Sequence, residues 1–226
     1  MSAIAERYLA VCKRVADAAD CVGRSSEDIT IVAISKTVGP AEIRQAVVAG
    51  IRDFGENRAQ DFVTKHALFP EMRWHFVGTL QSNKVGMVVG KAVLIHSVDS
   101  IKLLKAIDTK ARSLGIHQRV LLEVNVSGEL SKHGFPLERV EEALRSASAL
   151  TNVEVRGLMT MAPLARPEAV RPVFKQLARL FAQYAGMRFN KVDLTELSMG
   201  MTNDFTIGIE EGATIVRIGR AIFGNK

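Results

Sequence analysis

Lys36 is the residue of this sequence whose type and position best suit covalent chemistry. It ends the run ITIVAISK (29–36), which is apolar and β-branched until Ser35. Such a run is typical of a strand buried on both faces of a parallel sheet. A lysine partly withdrawn from water at this point would lose pKa and become a usable amine nucleophile. The alternative is that the strand ends here and Lys36 extends into solvent, and this stretch alone does not decide between the two.

Two glycine-bearing segments near the end of the chain could bind an anion. They are Gly200, Met201 and Thr202, after the strand pattern 192–198, and Gly219 with Arg220, at the end of the pattern 214–219. Backbone N–H groups in such turns, together with a following helix N-terminus, bind phosphate groups, and the Thr202 hydroxyl adds a donor. The alternative is that both turns simply begin helices, with Asn203 or Asp204 as a cap.

Arg217 lies inside the otherwise apolar run TIVRIG (214–219). Burying a guanidinium costs free energy unless it is paired or hydrogen-bonded. We therefore expect either a buried ion pair, with Glu196 or Glu56 as the partner, or a guanidinium that faces a bound ligand.

Strand and helix patterns alternate along the chain after an amphipathic first helix. The strand patterns cover 29–35, 52–56, 74–78, 92–98, 119–126, 154–160, 192–198 and 214–219, and helical patterns lie between them. Gly50 is the expected end of the second helix, and Asp99 or Ser100 the cap of the helix that begins at 101. This order predicts an α/β fold, a (β/α)₈ TIM-type barrel with an extra N-terminal helix, as a single domain over residues 1–226. An open doubly wound sheet would have fewer strands and a GxGxxG first turn, which ISKTVGP is not.

The composition is that of an ordinary globular protein, with 47% hydrophobic and 24% charged residues. No sequence stretch approaches the roughly 20 apolar residues of a membrane span, and the first helix lacks the apolar core of a signal peptide. We therefore expect a soluble, cytoplasmic protein that has no membrane partner. Cys12 and Cys21 are expected to be reduced thiols, and the scattered histidines predict no metal site. The net charge of +6 is spread among acidic residues, which favours an anionic ligand weakly and nucleic acid less.

In a (β/α)₈ barrel the active face is formed by residues that follow the carboxyl ends of the strands. Lys36 stands at one such end, and the two glycine-bearing segments follow strands seven and eight, where barrels commonly bind phosphate. An amine and a phosphate site across one barrel mouth indicate pyridoxal 5′-phosphate, whose aldehyde condenses with lysine. We expect Ser198 near its ring or phosphate. Asn57 either donates to its phenolic oxygen or caps the helix after strand two.

Seven motifs, in chain order, resemble those of a known family. They are ITIVAISKTVGPAEI, FGENRAQD, WHFVGTLQSNK, VNVSGELSKHGF, GLMTMAP, LSMGMTNDF and VRIGRAIFG. Together they resemble the pyridoxal-phosphate homeostasis protein family, whose members are single-domain relatives of the alanine racemase N-terminal barrel. The resemblance implies that Lys36 forms the Schiff base with the cofactor and that Arg217 faces the pyridine nitrogen. The sequence departs from the family pattern at Val38, where a lysine is common, and at Arg58, where a tyrosine is common.

The first functional hypothesis is therefore a monomeric carrier of pyridoxal 5′-phosphate. It would bind this and other B6 vitamers reversibly on Lys36 and exchange them transiently with apo-enzymes, without catalytic residues of its own. A guanidinium beside the pyridine nitrogen supports carbanion chemistry weakly. Racemases of this fold take a second base, a tyrosine, from a further domain, which we do not expect here. The tyrosines of this chain, Tyr8 and Tyr184, both fall in helical patterns.

Two alternative functions stay open. The chain could be a low-activity racemase or related pyridoxal-phosphate enzyme in which His75 or Lys132 is the acid–base partner of Lys36. His75 is otherwise a hydrogen-bonded core residue, and Lys132 a solvated loop charge. A nucleic-acid-binding barrel is indicated only by the net charge, and its binding would weaken with salt.

Overall fold

The computed structural model describes residues 2–129, 132–163, 165–187 and 190–224. Eight parallel strands pair in chain order, and the last pairs with the first, which closes a barrel. The strands are β1 Thr30–Ile34, β2 Asp53–Glu56, β3 Arg73–Phe76, β4 Leu94–Val98, β5 Gln118–Glu123, β6 Val153–Met159, β7 Val192–Met201 and β8 Ile215–Ile218. The predicted (β/α)₈ barrel is confirmed.

Helices connect the strands and surround the barrel. They are α1 Ala3–Asp20, α2 Pro40–Val48, α3 Ala59–Leu68, α4 Val85–Val88, α5 Ile101–Ser113, α6 Val140–Ser148, α7 Pro167–Ala185, α8 Phe205–Glu210 and α9 Arg220–Phe223. The extra N-terminal helix, α1, contacts α2, α8 and α9. Within the described residues, no helix combines the length and the apolar character needed to cross a bilayer.

Two helix ends lie where the sequence predicts them. Gly50 follows α2 with a φ of +95°, a left-handed conformation that glycine adopts without a Cβ clash. Ser100, and not Asp99, caps α5, because its hydroxyl accepts a hydrogen bond from the Leu103 N–H at 3.3 Å.

Two strand ends differ from the sequence prediction by three residues, and the other strand boundaries by at most two. β5 ends at Glu123 and not at 126, because the chain folds back on itself: the Phe135 N–H donates to the Glu123 carbonyl at 2.7 Å and the Asn125 N–H donates to the Phe135 carbonyl at 3.0 Å. β7 continues to Met201 and does not stop at 198, because Met201 pairs with Arg217 on β8.

The inside of the barrel changes character along its axis. Strand side chains alternate between the helices and the barrel axis, and a small apolar cluster packs inside: Val32, Leu94, Leu121, Met159 and Ile215. The same alternation also directs inward the residues two or four positions later, toward the C-terminal mouth. These later positions carry Lys36 just after β1, Glu123 at the end of β5 and Arg217 on β8. The C-terminal mouth is therefore lined by ionisable groups above an apolar layer.

Candidate cofactor site

An open cavity of about 450 Å³ lies at the C-terminal mouth of the barrel. Four residues predicted for the cofactor site line it, namely Lys36, Asn57, Met201 and Arg217. Small-ligand pockets commonly measure about 300–1,000 Å³, so the cavity can hold one aromatic ligand of moderate size. Its position is the one at which (β/α)₈ enzymes carry their active sites.

Lys36 directly follows β1, and a buried cluster fixes the residue before it. The Ser35 carbonyl accepts a hydrogen bond from Lys65 Nζ at 2.6 Å, and the Ser35 hydroxyl donates to the Glu56 carboxylate at 2.7 Å. Lys65 also forms an ion pair with that carboxylate at 2.6 Å. Because the cluster joins β1, β2 and α3, it holds the backbone that leads into Lys36. The Lys36 side chain is exposed, so the partial withdrawal from water considered above is not observed.

Arg217 reaches the cavity from inside β8 and is only 5% exposed. Its Nη1 donates to Ser198 Oγ at 2.6 Å and its Nη2 donates to the Thr160 carbonyl at 2.9 Å. Both acceptors are neutral, and Arg217 forms no ion pair within the part of the chain that the structure describes. Burial lowers the pKa of Arg217 to about 10, against the raising effect of the Glu123 and Asp204 charges.

The ion-pair alternative for Arg217 is wrong. Glu56 is the partner of Lys65, and the Glu196 carboxylate lies 3.4 Å from the Thr214 hydroxyl. Glu56 does not pair with Arg217 because side chains alternate along a strand: Glu56 points outward to the helices, whereas Arg217 points to the barrel axis. The guanidinium charge therefore remains available at the cavity.

The two segments predicted to bind phosphate end neighbouring strands beside the cavity. Gly200 and Met201 are the last residues of β7 and not part of a loop, and Thr202 follows them. Gly219 is the N-cap residue of α9, which begins at Arg220. Of these five residues, only Met201 lines the cavity, and the phosphate role of all five stays a prediction.

One of the expected phosphate donors has a partner in this structure. The Met201 N–H donates to Asp204 Oδ1 at 2.5 Å, so a phosphate would compete with that carboxylate. Asp204 is the N-cap residue of α8, one of the two positions that the alternative reading gave, but its side chain makes no cap bond. Burial raises the pKa of Asp204, while the Met201 N–H and the Arg217 charge act to lower it.

Ser198 is fully buried and lies behind Arg217. Besides accepting from Arg217, its Oγ is 2.9 Å from His96 Nδ1. His75 lies beyond His96 on the side away from Arg217, with its Nδ1 3.0 Å from His96 Nε2 and its Nε2 2.9 Å from Asp53 Oδ1. His75 is therefore a hydrogen-bonded core residue, and it does not line the cavity of Lys36.

Asn57 lines the cavity, and its backbone packs against Gly78, where a Cβ would overlap the Asn57 carbonyl oxygen. α3 begins at Ala59 with Arg58 at its N-cap, so the alternative that Asn57 caps this helix is wrong. Of the two departures from the family pattern, Arg58 is exposed and lines the cavity, whereas Val38 is buried in the core.

Glu123, which is not among the residues predicted from the sequence, ends β5 and lines the cavity together with Lys36 and Arg217. Burial raises the pKa of Glu123, and the Asp99 charge acts in the same direction, while Arg217 and His133 act to lower it. A signal was available, because Glu123 ends the apolar run VLLE in the way that Lys36 ends its own run.

Lys132 lines an adjoining cavity of about 230 Å³. Its Nζ forms an ion pair with Glu129 at 2.7 Å and donates to Ser127 Oγ at 3.2 Å. Both roles considered for Lys132, a solvated loop charge and a second amine for the cofactor, stay open.

Residues 13–226 match a protein family described as alanine racemase, N-terminal domain. The chain is similar to the pyridoxal phosphate homeostasis protein of Aquifex aeolicus, with 43% identity over 224 residues that cover 98% of this chain and 97% of the relative.

Two solved structures resemble the chain over almost its whole length. An unknown protein from Bifidobacterium adolescentis has a TM-score of 0.91 at 35% identity, with 97% of this chain and 94% of that chain covered. PipY of Synechococcus elongatus, solved with pyridoxal 5′-phosphate (PLP) bound, has a TM-score of 0.85 at 34% identity, with 98% of this chain and 100% of that chain covered.

Proposed function

The chain belongs to the pyridoxal phosphate homeostasis protein family, and from this premise we propose that it holds pyridoxal 5′-phosphate as a reversible Schiff base on Lys36. Its role is to buffer the cofactor and deliver it to apo-enzymes, with no strong catalytic activity of its own. The observation that carries the proposal is that Lys36 and Arg217 line one cavity. An amine that can condense with an aldehyde and a cation that can face a pyridine nitrogen therefore meet at a single ligand.

The residues at the barrel mouth fit this cofactor. Arg217 brings a buried positive charge to the cavity and is held there by neutral acceptors. The backbone is also closely packed at both glycine-bearing segments. A Cβ on Gly200 would lie 2.8 Å from Phe205 Cα, and one on Gly219 would lie 3.3 Å from the Ile34 carbonyl oxygen. Glycine at both positions lets the backbone of these segments pack closely against α8 and β1, and the phosphate role of their N–H groups is part of the proposal.

When bound, pyridoxal 5′-phosphate supplies an aldehyde for condensation and a ring that withdraws electrons. Lys36 would supply the amine that condenses with the aldehyde to form a carbon–nitrogen double bond with release of one water molecule, and water would reverse the reaction. Arg217 would keep the ring nitrogen unprotonated, which would weaken the withdrawal of electrons. Asn57 would donate to the phenolic oxygen, and Ser198 would orient Arg217. Thr202, Gly219 and Arg220, with Met201, would hold the phosphate.

The exposure of Lys36 supports transfer of the cofactor to other molecules. Because the amine is exposed and the cavity is open, water and competing amines reach the bond that anchors the cofactor. B6 vitamers and, transiently, apo-enzymes are the proposed partners. Cys12 and Cys21 are free thiols, which supports the cytoplasm as the compartment. The proposed monomer is tested by sedimentation of the purified chain.

The test is a titration of the purified protein with pyridoxal 5′-phosphate, followed by visible absorbance. We expect a visible band in the wild type that is absent from Lys36→Ala. Lys132→Ala is the matched control, since it removes the other lysine near the mouth, and it should keep the band. A wild type without the band, or Lys36→Ala with the full band, would contradict the proposal.

A weak racemase is the second candidate, and one observation favours it: Glu123 lines the same cavity as Lys36. A carboxyl whose pKa is raised by burial is a candidate second acid–base group. Neither His75 nor Tyr8 lines that cavity. An alanine racemisation assay of the loaded protein decides between the candidates. Turnover well above that of free cofactor, lost in both Lys36→Ala and Glu123→Gln, would favour the enzyme.

A further inference from the structure

A continuous chain of side-chain hydrogen bonds crosses the inside of the barrel. It begins at Asp53 on β2, passes through His75 on β3, His96 on β4 and Ser198 on β7, and ends at Arg217 on β8. The successive distances are 2.9, 3.0, 2.9 and 2.6 Å. Asp53 also lines a separate cavity with Tyr8 and Cys12 of α1, so the chain connects that end of the barrel with the cofactor cavity.

We propose that Asp53 and His75 fix the tautomer of His96, and that His96, acting through Ser198, is a positioning residue for Arg217. The first part concerns the protein without any cofactor. The second part rests on the proposed function, because it concerns how Arg217 meets the cofactor.

The donor–acceptor direction of this series of hydrogen bonds is set at Asp53. An ionised carboxylate can only accept hydrogen bonds, so His75 must carry its hydrogen on Nε2. A neutral His75 then accepts at Nδ1, which requires the hydrogen of His96 to be on Nε2. His96 in turn accepts at Nδ1, and the Ser198 hydroxyl donates to it.

Burial keeps His96 neutral, as this argument requires. Its side chain is fully buried, and desolvation, with the charges of His75 and Arg217, holds the pKa of His96 well below its usual range. His75 faces Asp53 and His96, and it lines a cavity at the N-terminal mouth whose charged residues are Arg73, Arg119, Arg156 and Glu196. The direction derived above is that of a neutral His75, and the measurement is therefore made at pH 8, above the ordinary histidine pKa of about 6.5.

The consequence at the cofactor site is a fixed acceptor for the guanidinium. With its hydrogen committed to His96, Ser198 presents its oxygen lone pairs to Arg217, and the Thr160 carbonyl holds the other nitrogen. If the chain ran in the reverse direction, His96 and Arg217 would both donate to Ser198 Oγ. The serine hydrogen would then lose the acceptor it has in this arrangement.

The direct test is ¹⁵N NMR of the full-length protein, free of cofactor and labelled at histidine, at pH 8. His75→Gln and His96→Gln assign the two signals. We expect both rings in the wild type to be neutral with hydrogen on Nε2. A His96 ring with hydrogen on Nδ1 would overturn the proposal.

Asp53→Asn provides the matched perturbation, because an amide can donate as well as accept and therefore no longer fixes the direction. We expect the Nδ1–H form of His96 to become populated in Asp53→Asn. Asp193→Asn makes the same change in a carboxylate that pairs with Arg156 outside the chain and should leave His96 unchanged. If the His96 tautomer is the same in Asp53→Asn as in the wild type, Asp53 does not set it.

Cofactor binding tests the positioning role. We expect Asp53→Asn and His96→Gln to retain the visible band but to shift its position and raise the Kd for pyridoxal 5′-phosphate about tenfold, the usual cost of weakening one hydrogen bond to a charged group. Thermal unfolding checks that both variants are folded. If His96→Gln is not folded, the test is made with Asp53→Asn, which is the isosteric change. Unchanged spectra and affinity would remove the positioning role, whereas a wild type without any band would contradict the proposed function and leave the NMR result standing.

Discussion

Two buried cations close to the barrel mouth, Lys65 and Arg217, are held in opposite ways. Lys65 lies outside the barrel wall and forms an ion pair with Glu56 at 2.6 Å. Arg217 lies inside the barrel, where a hydroxyl and a carbonyl, both neutral, accept its hydrogen bonds. A charge that the protein neutralises serves the structure, whereas a buried charge that it leaves without a counterion costs stability and is available to a ligand.

The two cations also serve Lys36 differently. Lys65 and Glu56 fix Ser35 and therefore the backbone from which the Lys36 side chain projects. Arg217 faces the cavity that this amine also lines. We infer that Lys65 positions Lys36, whereas Arg217 acts on the cofactor that we propose Lys36 binds.

The largest expected effect is on stability in Lys65→Met. Removing one partner of a buried ion pair typically costs about 3–5 kcal/mol, because the other charge stays buried. Here the remaining charge is Glu56, whose Oε2 already has no hydrogen-bond partner among the described residues. Urea denaturation measures the loss.

The double variant Glu56→Gln with Lys65→Met is the control, since it removes both charges and should recover most of the lost stability. A loss below about 1 kcal/mol in Lys65→Met, the range of a surface ion pair, would break the comparison.

A smaller stability effect, of about 1–2 kcal/mol, is expected for Arg217→Met. The change leaves Ser198 and the Thr160 carbonyl without a donor, but it also removes a charge that burial penalises. The same variant should bind pyridoxal 5′-phosphate much more weakly, whereas Lys65→Met is expected to lose stability first. Urea denaturation and cofactor titration of the two variants, run in parallel, measure both properties. A lower free energy of unfolding and a tighter cofactor affinity in Arg217→Met than in Lys65→Met would contradict this expectation.

The smallest effect is a pH dependence that arises at His96. Because burial and the charges of His75 and Arg217 hold the pKa of His96 low, the unfolded chain takes up a proton below about pH 6.5 that the folded chain does not. Its contribution to stability is therefore present above that pH and is lost as the pH falls, by at most about 1.4 kcal/mol per pH unit.

Urea denaturation between pH 7.5 and 6 checks this sign. His96→Gln should flatten the dependence, and His133→Gln, which changes an exposed histidine, should not. An equal slope in the wild type and His96→Gln would show that His96 does not supply it.

The same contrast explains what the sequence could predict. Lys36 and Arg217 are detectable because a charge at the end of, or within, an apolar β-branched run conflicts with its surroundings. The barrel itself followed from the alternation of strand and helix patterns. Lys65 gave no such signal, since a lysine among polar helix positions resembles any surface lysine and only the packing of α3 on β1 and β2 buries it.

The polar chain behind Arg217 was hidden for a related reason. His75, His96 and Ser198 are separated by 21 and 102 positions, and only closure of the barrel brings their strands together. The length of β7 was also underestimated, because Gly200 interrupts the apolar pattern although pairing with β8 continues to Met201. Local patterns do not contain these tertiary contacts.

Borohydride reduction followed by peptide mass analysis tests the central claim most directly. Protein equilibrated with pyridoxal 5′-phosphate and then reduced should carry one cofactor adduct, on the peptide that contains Lys36, and Lys36→Ala should carry none. An adduct confined to another lysine, or no adduct in the wild type, would contradict the assignment of Lys36 as the anchor.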